Sequence, residues 1–199
     1  MTVKKPTEER RREIADAGIK ILGARGLREF TAANIAAEVG ISDGTVFRHF
    51  KDMNEIANAV VERVRERLTM APSELEDPVE RLHDFVLRRV HAVATQPEIQ
   101  SLIFSDQIDH ALGAAGVGQV AALRNAGRRF VKSCLDEAVQ KGLVREGLDV
   151  DSTVLLIMGT MMGVLFAVKD DALSVSIDET GVRCWQTLSL VLGPNQGKS

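Results

Sequence analysis

Residues 30–50 read FTAANIAAEVGISDGTVFRHF, and the reading of this stretch decides the fold. It divides into two short helices around one sharp turn. Thr31 is placed to cap the first, its side chain accepting from a free backbone N–H. Ile35, Ala36 and Val39 then share one helical face. Gly40 stands where that helix must stop, because a residue without a Cβ enters the left-handed conformation at no steric cost. Ile41 fills the corner. Ser42 is a favourable N-cap for a second helix over Asp43 to His49, with Val46 turned back to the core. A small residue where two helices cross, followed four positions later by glycine, is the helix-turn-helix pattern. The second helix of that pattern lies in the major groove of DNA.

Working outward, Lys4, Lys5, Arg10, Arg11 and Arg12 form a basic run that suits a DNA backbone, and residues 1–6 read as a disordered arm. A helix is expected from Thr7 to Arg25, with Ile14, Ala17, Gly18, Ile21 and Leu22 as its apolar stripe. Leu27 and Phe30 are expected to pack beneath the three-helix head. After the motif, Asp52 caps another helix, with Glu55 at the third position and Ile56, Val60, Val64 and Leu68 inward. Asp77-Pro78-Val79-Glu80 opens the next, which carries Leu82, Phe85, Val86 and Val90. Arg89 interrupts that apolar stripe. Pro97 starts a short helix. The stretch from Asp106 to Gly118 holds three glycines and no firm period, and is expected to be mobile. A long helix follows from Gln119 to Lys141 and is stopped by Gly142.

The apolar helix that ends at Val168 contains VLLIMGTMMGVLFAV and is expected to fall short of a bilayer span, which needs about 20 apolar residues. Being apolar nearly all round, it has more surface to cover than one small domain supplies, so part of it reads as a subunit interface. Gly159 and Gly163 would let another helix come close. Ser176-Ile177-Asp178-Glu179 is a capping box opening a last helix with Val182, Trp185, Leu188, Val191 and Leu192 inward. Two such helices from each of two subunits make a four-helix interface.

An apolar share of 45% with 27% charged residues is that of a globular domain with a real core. The net charge of −3 argues nothing for DNA, but its distribution does. Residues 1–51 carry ten Lys+Arg against seven Asp+Glu, so the remainder must carry −6. A basic head on an acidic body suits contact with phosphates at one end only. The start of the chain has no apolar run of a signal peptide, and Cys134 and Cys184 match no metal spacing. Both are expected to be reduced, and the protein cytoplasmic.

Thr31, Ile35-Ala36, Gly40, Ser42, Gly44-Thr45-Val46-Phe47 and His49-Phe50 together resemble the signature of the TetR family of transcriptional repressors. The resemblance implies an all-α homodimer. It implies a helix-turn-helix DNA-binding domain over residues 1–52 and a helical body over 53–199, about nine helices in all, holding a small-molecule inducer. It implies double-stranded operator DNA as partner, no cofactor, no membrane and no enzymatic activity. Two positions depart from the family pattern: Phe47 stands where tyrosine is frequent, and Met53 where lysine is frequent, with Lys51 two residues earlier as a substitute.

The DNA-binding set expected from this reading is Thr31, Ser42, Asp43, Gly44, Thr45, Phe47, Arg48, His49 and Lys51. Arg48 is the foremost of these, since its fork matches the edge of guanine. Phe85, Arg89, Phe104, Phe130, Met158, Met162, Phe166 and Trp185 are the candidate walls of an effector pocket, with Gln107 or Arg124 as further polar groups. Packed core and pocket wall are alternatives for each apolar residue, and an internal ion pair is the alternative for Arg89. An apolar effector fits the absence of tyrosine. Without an effector, the body serves only dimerisation or protein docking. Gly40-Ile41-Ser42-Asp43-Gly44 also matches the G-x-S-x-G of hydrolases, but that chemistry requires a strand before the serine, where this sequence reads as helix. His49, His83, His91 and His110 show no metal-ligand spacing, and no catalytic set is expected.

Overall fold

A computed structural model describes residues 7–68, 74–103, 105, 107–112 and 118–193. The expected arm (residues 1–6), Phe104, and the side chains of Gln107 and Arg124 lie outside this description. Among the described residues the chain is all-α. Its helices are α1 (Thr7–Arg25), α2 (Ala32–Val39), α3 (Asp43–His49), α4 (Met53–Leu68), α5 (Pro78–Ala94), α6 (Pro97–Ile103), α7 (Gln107–Leu112), α8 (Gln119–Gln140), α9 (Val150–Lys169) and α10 (Ile177–Leu192), with a 3-10 turn at Leu27–Glu29. The helix at 107–112 occupies part of the stretch expected to be irregular. Ile108, buried inside it, gives it an anchor that the flanking glycines conceal.

The chain forms two compact units, residues 1–69 with 96–123, and residues 70–95 with 124–199. The first extends past the boundary expected after residue 52, because α4, α6 and α7 pack with the N-terminal helices. Ile56, Val60, Val64 and Leu68 of α4 are all buried, as are Ile14, Ile21 and Leu22 of α1. Two glycines of α1 set the packing distances. A Cβ on Gly18 would come within 2.5 Å of Val60 Cγ2, and one on Gly23 within 2.5 Å of the Glu98 carbonyl oxygen. Phe30 packs beneath the head as expected, but Leu27 is largely exposed because the 3-10 turn points it outward.

The second unit centres on Leu82, Val86 and Val90 of α5, Val131 and Leu135 of α8, Val154, Ile157 and Met161 of α9, and Trp185, Leu188 and Leu192 of α10. Trp185 stacks on His83, with ring centroids 4.8 Å apart. The expected caps at Asp77 and Ser176 form, Asp77 Oδ1 accepting from the Val79 and Glu80 N–H groups and Ser176 from Glu179; Asp149 also caps α9, accepting from Ser152. Val182, expected inward, is exposed instead, one position off the α10 face that carries Trp185 and Leu188.

With 20 residues and a stretch of mean hydropathy 1.8, α9 is by length and composition long enough to cross a membrane, contrary to the expectation that it would fall short. It lays one face against α5 and α10. The other face is open among the described residues: Leu155 is 60% exposed, Leu156 52% and Phe166 50%, and none of those residues lies within 4 Å of where a Cβ would stand on Gly159 or Gly163.

Candidate nucleic-acid interface

The corner between α2 and α3 is built by backbone geometry. Thr31 has an extended backbone, and its Oγ1 accepts the Asn34 N–H at 3.2 Å, which starts α2. Asn34 in turn donates to the Glu29 carbonyl at 2.9 Å. Gly40 takes φ +75°, ψ +38°, and the Ile41 N–H reaches back to the Ala36 carbonyl at 2.9 Å while Gly40 N–H bonds Ala37. This pair of bonds closes α2 in a Schellman turn, which a side chain at Gly40 would strain.

Ser42 stands at the N-cap of α3 as expected, but its side chain makes no cap bond. Its hydroxyl lies 3.0 Å from Thr45 Oγ1, and the Arg48 guanidinium donates to that same Oγ1 at 2.6 Å. Ser42, Thr45 and Arg48, three apart, therefore form one polar row along the helix. Val46 and Phe50 are buried, Ile35 and Ala36 beneath them likewise. On the other side, Asp43, Gly44 and Arg48 are exposed, and Phe47 is 48% exposed. Among the described residues a Cβ on Gly44 would meet nothing within 4 Å, which leaves the backbone there open to a DNA wall. Thr45 and His49 are half-buried, and Thr31, Ser42 and Lys51 are exposed. Of the expected DNA-binding residues, Ser42, Thr45 and Arg48 are joined along α3 with Asp43, Gly44 and Phe47 exposed beside them, while Thr31 is exposed at the start of α2 and Lys51 just past the end of α3.

The basic run on α1 behaves otherwise. Arg10 is buried and pairs with Glu13 at 2.8 Å, and Arg11 is half-buried and engaged within the head; only Arg12 of the three is exposed. They follow the periodicity of α1, which turns successive residues to different sides. Two further ion-pair clusters brace this unit. Asp16 accepts from both Arg63 and Arg67, each at 2.7 Å, and Glu38 pairs with Lys20 and Arg25. The Lys20 bond to Glu38 holds that carboxyl below the usual glutamate range, and Arg25 adds to it.

The described members of the expected effector set are divided between the core of the second unit and the open face of α9. Phe85 and Phe130 pair at 4.7 Å between centroids, and with Met158 and Trp185 they pack into the core of the second unit. Met162 is half-buried, and Phe166 lies on the open face of α9. Arg89 is half-buried, and burial draws its pKa below the ordinary arginine value. A Cβ on Gly127 would stand 3.6 Å from the Phe85 ring and 4.0 Å from the Arg89 guanidinium. A cleft of about 380 Å³ in this unit is lined instead by Thr160, Leu173, Val175, Thr180, Cys184 and Thr187, among others. Another, of about 650 Å³ in the first unit, has Arg10, Glu13, Asp16, Lys20, Glu38 and Glu98 in its wall beside Ala17, Ile19 and Val39.

Cys134 and Cys184 are free, and burial raises both thiols above their usual pKa, so neither is a thiolate nucleophile at neutral pH. Among the described residues no group of three metal-ligating side chains occurs. A helix precedes Ser42 and its hydroxyl bonds Thr45, which is not the surroundings of a hydrolase serine.

Two family models match the chain. That described as bacterial regulatory proteins, tetR family, matches residues 14–60, and that described as the tetracyclin repressor-like C-terminal domain matches residues 75–165. The chain is 23% identical over 155 residues to the HTH-type transcriptional repressor KstR2 of Mycobacterium tuberculosis, covering 76% of this chain and 77% of that one. It is 23% identical over 165 residues to the fatty acid metabolism regulator protein of Bacillus subtilis, covering 75% and 78%. In fold it is similar to AibR, solved in complex with isovaleryl coenzyme A and operator DNA, with a TM-score of 0.69 at 16% identity over 93% of this chain and 99% of that one. The chain is a DNA-binding transcriptional regulator and belongs to the TetR family.

Proposed function

We propose that this regulator is a repressor that binds a palindromic operator as a homodimer, each subunit setting α3 into a major groove. The observation that carries the reading is the division of α3 into a buried side, Val46, and an exposed side with Phe47 and Arg48, the latter bonded to the half-buried Thr45. Residues 1–52 contain every group proposed to touch DNA: Thr31, Ser42, Asp43, Gly44, Thr45, Phe47, Arg48, His49 and Lys51. Arg48 reads a base edge, Thr31 and Lys51 meet phosphates, and Phe47 lies against the sugar wall. The open face of α9 supports a dimer made through α9 and α10, since apolar surface of that extent calls for a partner helix. That reading keeps α9 out of a bilayer and the protein in the cytoplasm with its DNA.

The proposed effector is a small molecule with an acyl chain. Its support is two similar proteins, the fatty acid metabolism regulator protein of Bacillus subtilis and AibR, which was solved with isovaleryl coenzyme A. Such an effector releases DNA only by favouring a state whose two heads no longer match the groove spacing. The packing of Phe85, Phe130, Met158 and Trp185 into the core favours a second reading, an effector-independent dimer. Duplex selection from a random pool tests the operator. Titration of the selected duplex complex with fatty acids and acyl-coenzyme A thioesters separates the two readings: release supports the effector, while unchanged affinity across the series leaves the second.

A further inference from the structure

Arg11 belongs by sequence to the basic run that suits a DNA backbone, and its surroundings give it a different task. From α1 its guanidinium donates to the carbonyl oxygen of His49, the last residue of α3, 38 positions along the chain. It also donates to Glu55 Oε1 at 2.8 Å, in the first turn of α4. Its central carbon stands 4.0 Å above the centroid of the Phe50 ring, and Phe50 is the buried residue that closes α3. The second oxygen of Glu55 accepts the Lys51 N–H at 2.6 Å, and the Glu55 N–H itself donates to Asp52 at 2.9 Å. One guanidinium therefore joins α1, the end of α3 and the start of α4.

Each contact has a physical reason. The last carbonyls of a helix lack partners within it and carry partial negative charge, so a cation there is favourable. A guanidinium offers several donors in a rigid plane, and that plane also stacks on a ring. An ammonium provides neither the fork nor the plane. With only seven residues, α3 has little intrinsic stability, and its direction depends on what holds its ends.

We infer that Arg11 is a positioning residue for DNA recognition. It fixes the angle at which α3 leaves the head, and hence where Phe47 and Arg48 arrive, without touching DNA itself. The inference rests on the DNA-binding function proposed above.

The test uses the full chain and its Arg11→Lys, Arg11→Met and Glu55→Gln variants, titrated over a range of salt. Two probes are used: the duplex that the unaltered chain selects from a random pool, and an unrelated duplex of equal length. Arg11→Met should bind the selected duplex about ten- to a hundredfold more weakly, the range for losing charged hydrogen bonds. Binding to the unrelated duplex and the salt slope should stay as they were. Arg11→Lys should fail to restore selectivity, and Glu55→Gln should show the same pattern. Glu55→Gln also carries the comparison if thermal unfolding shows Arg11→Met to be unfolded. The inference is overturned if Arg11→Lys binds like the unaltered chain while Arg11→Met weakens both probes alike with a salt slope shallower by about 0.9, the signature of one lost phosphate contact. An unaltered chain that selects no duplex ends the DNA-binding reading, and this inference with it.

Discussion

Arg48 leaves the surface of α3 already held, since Thr45 accepts from its guanidinium and Ser42 lies against Thr45. A side chain ordered before binding loses less rotamer entropy at the interface, so this row favours reading a base over a loose phosphate contact. Arg48→Ala is expected to cost about 1–3 kcal/mol on the selected operator and much less on an unrelated duplex. Filter binding to both checks it, and equal losses would make Arg48 a phosphate contact. At Gly40, where φ is +75°, alanine should cost about 1 kcal/mol of stability, read as a lower denaturant midpoint with unchanged slope. The placement of both residues was legible in the sequence because it is set locally: a glycine at a helix end, an arginine on the outer side of a short helix. Arg11 was not. Its partners lie 38 and 44 positions away, and nothing in a run of three arginines tells which one turns inward.

At the scale of elements, α1 has its packing distances fixed by absent side chains. A Cβ on Gly23 would stand 2.5 Å from the Glu98 carbonyl oxygen and 2.7 Å from its Cα, both backbone atoms of α6 that cannot swing aside. Gly23→Ala should therefore destabilise the chain by about 1–3 kcal/mol, seen as a lower unfolding temperature. Gly127→Ala is the opposite case. Its Cβ would make an ordinary contact 3.6 Å from Phe85 within α8, so the better helix propensity of alanine should gain up to about 1 kcal/mol. Helix ends were readable from Thr31, Asp52, Asp77 and Ser176, because caps are set within a few residues. What stayed hidden needed the third dimension. Ile108 anchors α7 from a buried position, and the choice between core and pocket for Phe85, Phe130, Met158 and Trp185 depends on neighbours from four helices.

For the whole molecule, acid should be destabilising. Glu55 is held below the glutamate range first by the Lys51 N–H and then by Arg11, Glu137 first by Lys141 and then Arg81, and Asp149 by Ser152. A carboxyl with a lowered folded pKa contributes stability above its unfolded value, about 4.3 for Glu and 3.9 for Asp, and loses it as pH falls through the folded value. The unfolding temperature should fall as the solution is taken from pH 5 towards about pH 3; a rise on acidification would contradict this. Assembly depends on the open face of α9. Leu156→Glu should turn the proposed dimer into a monomer by sedimentation and weaken operator binding, because two half-sites are then no longer held together. The central claim is that α3 is a rod projecting into duplex DNA, and the most direct measurement is selection of bound duplexes from a random pool at low salt. The account predicts an enriched palindrome with two half-sites about one helical turn apart, and its loss in Arg48→Ala. An unenriched pool, or a chain that binds no duplex even at low salt, would contradict it.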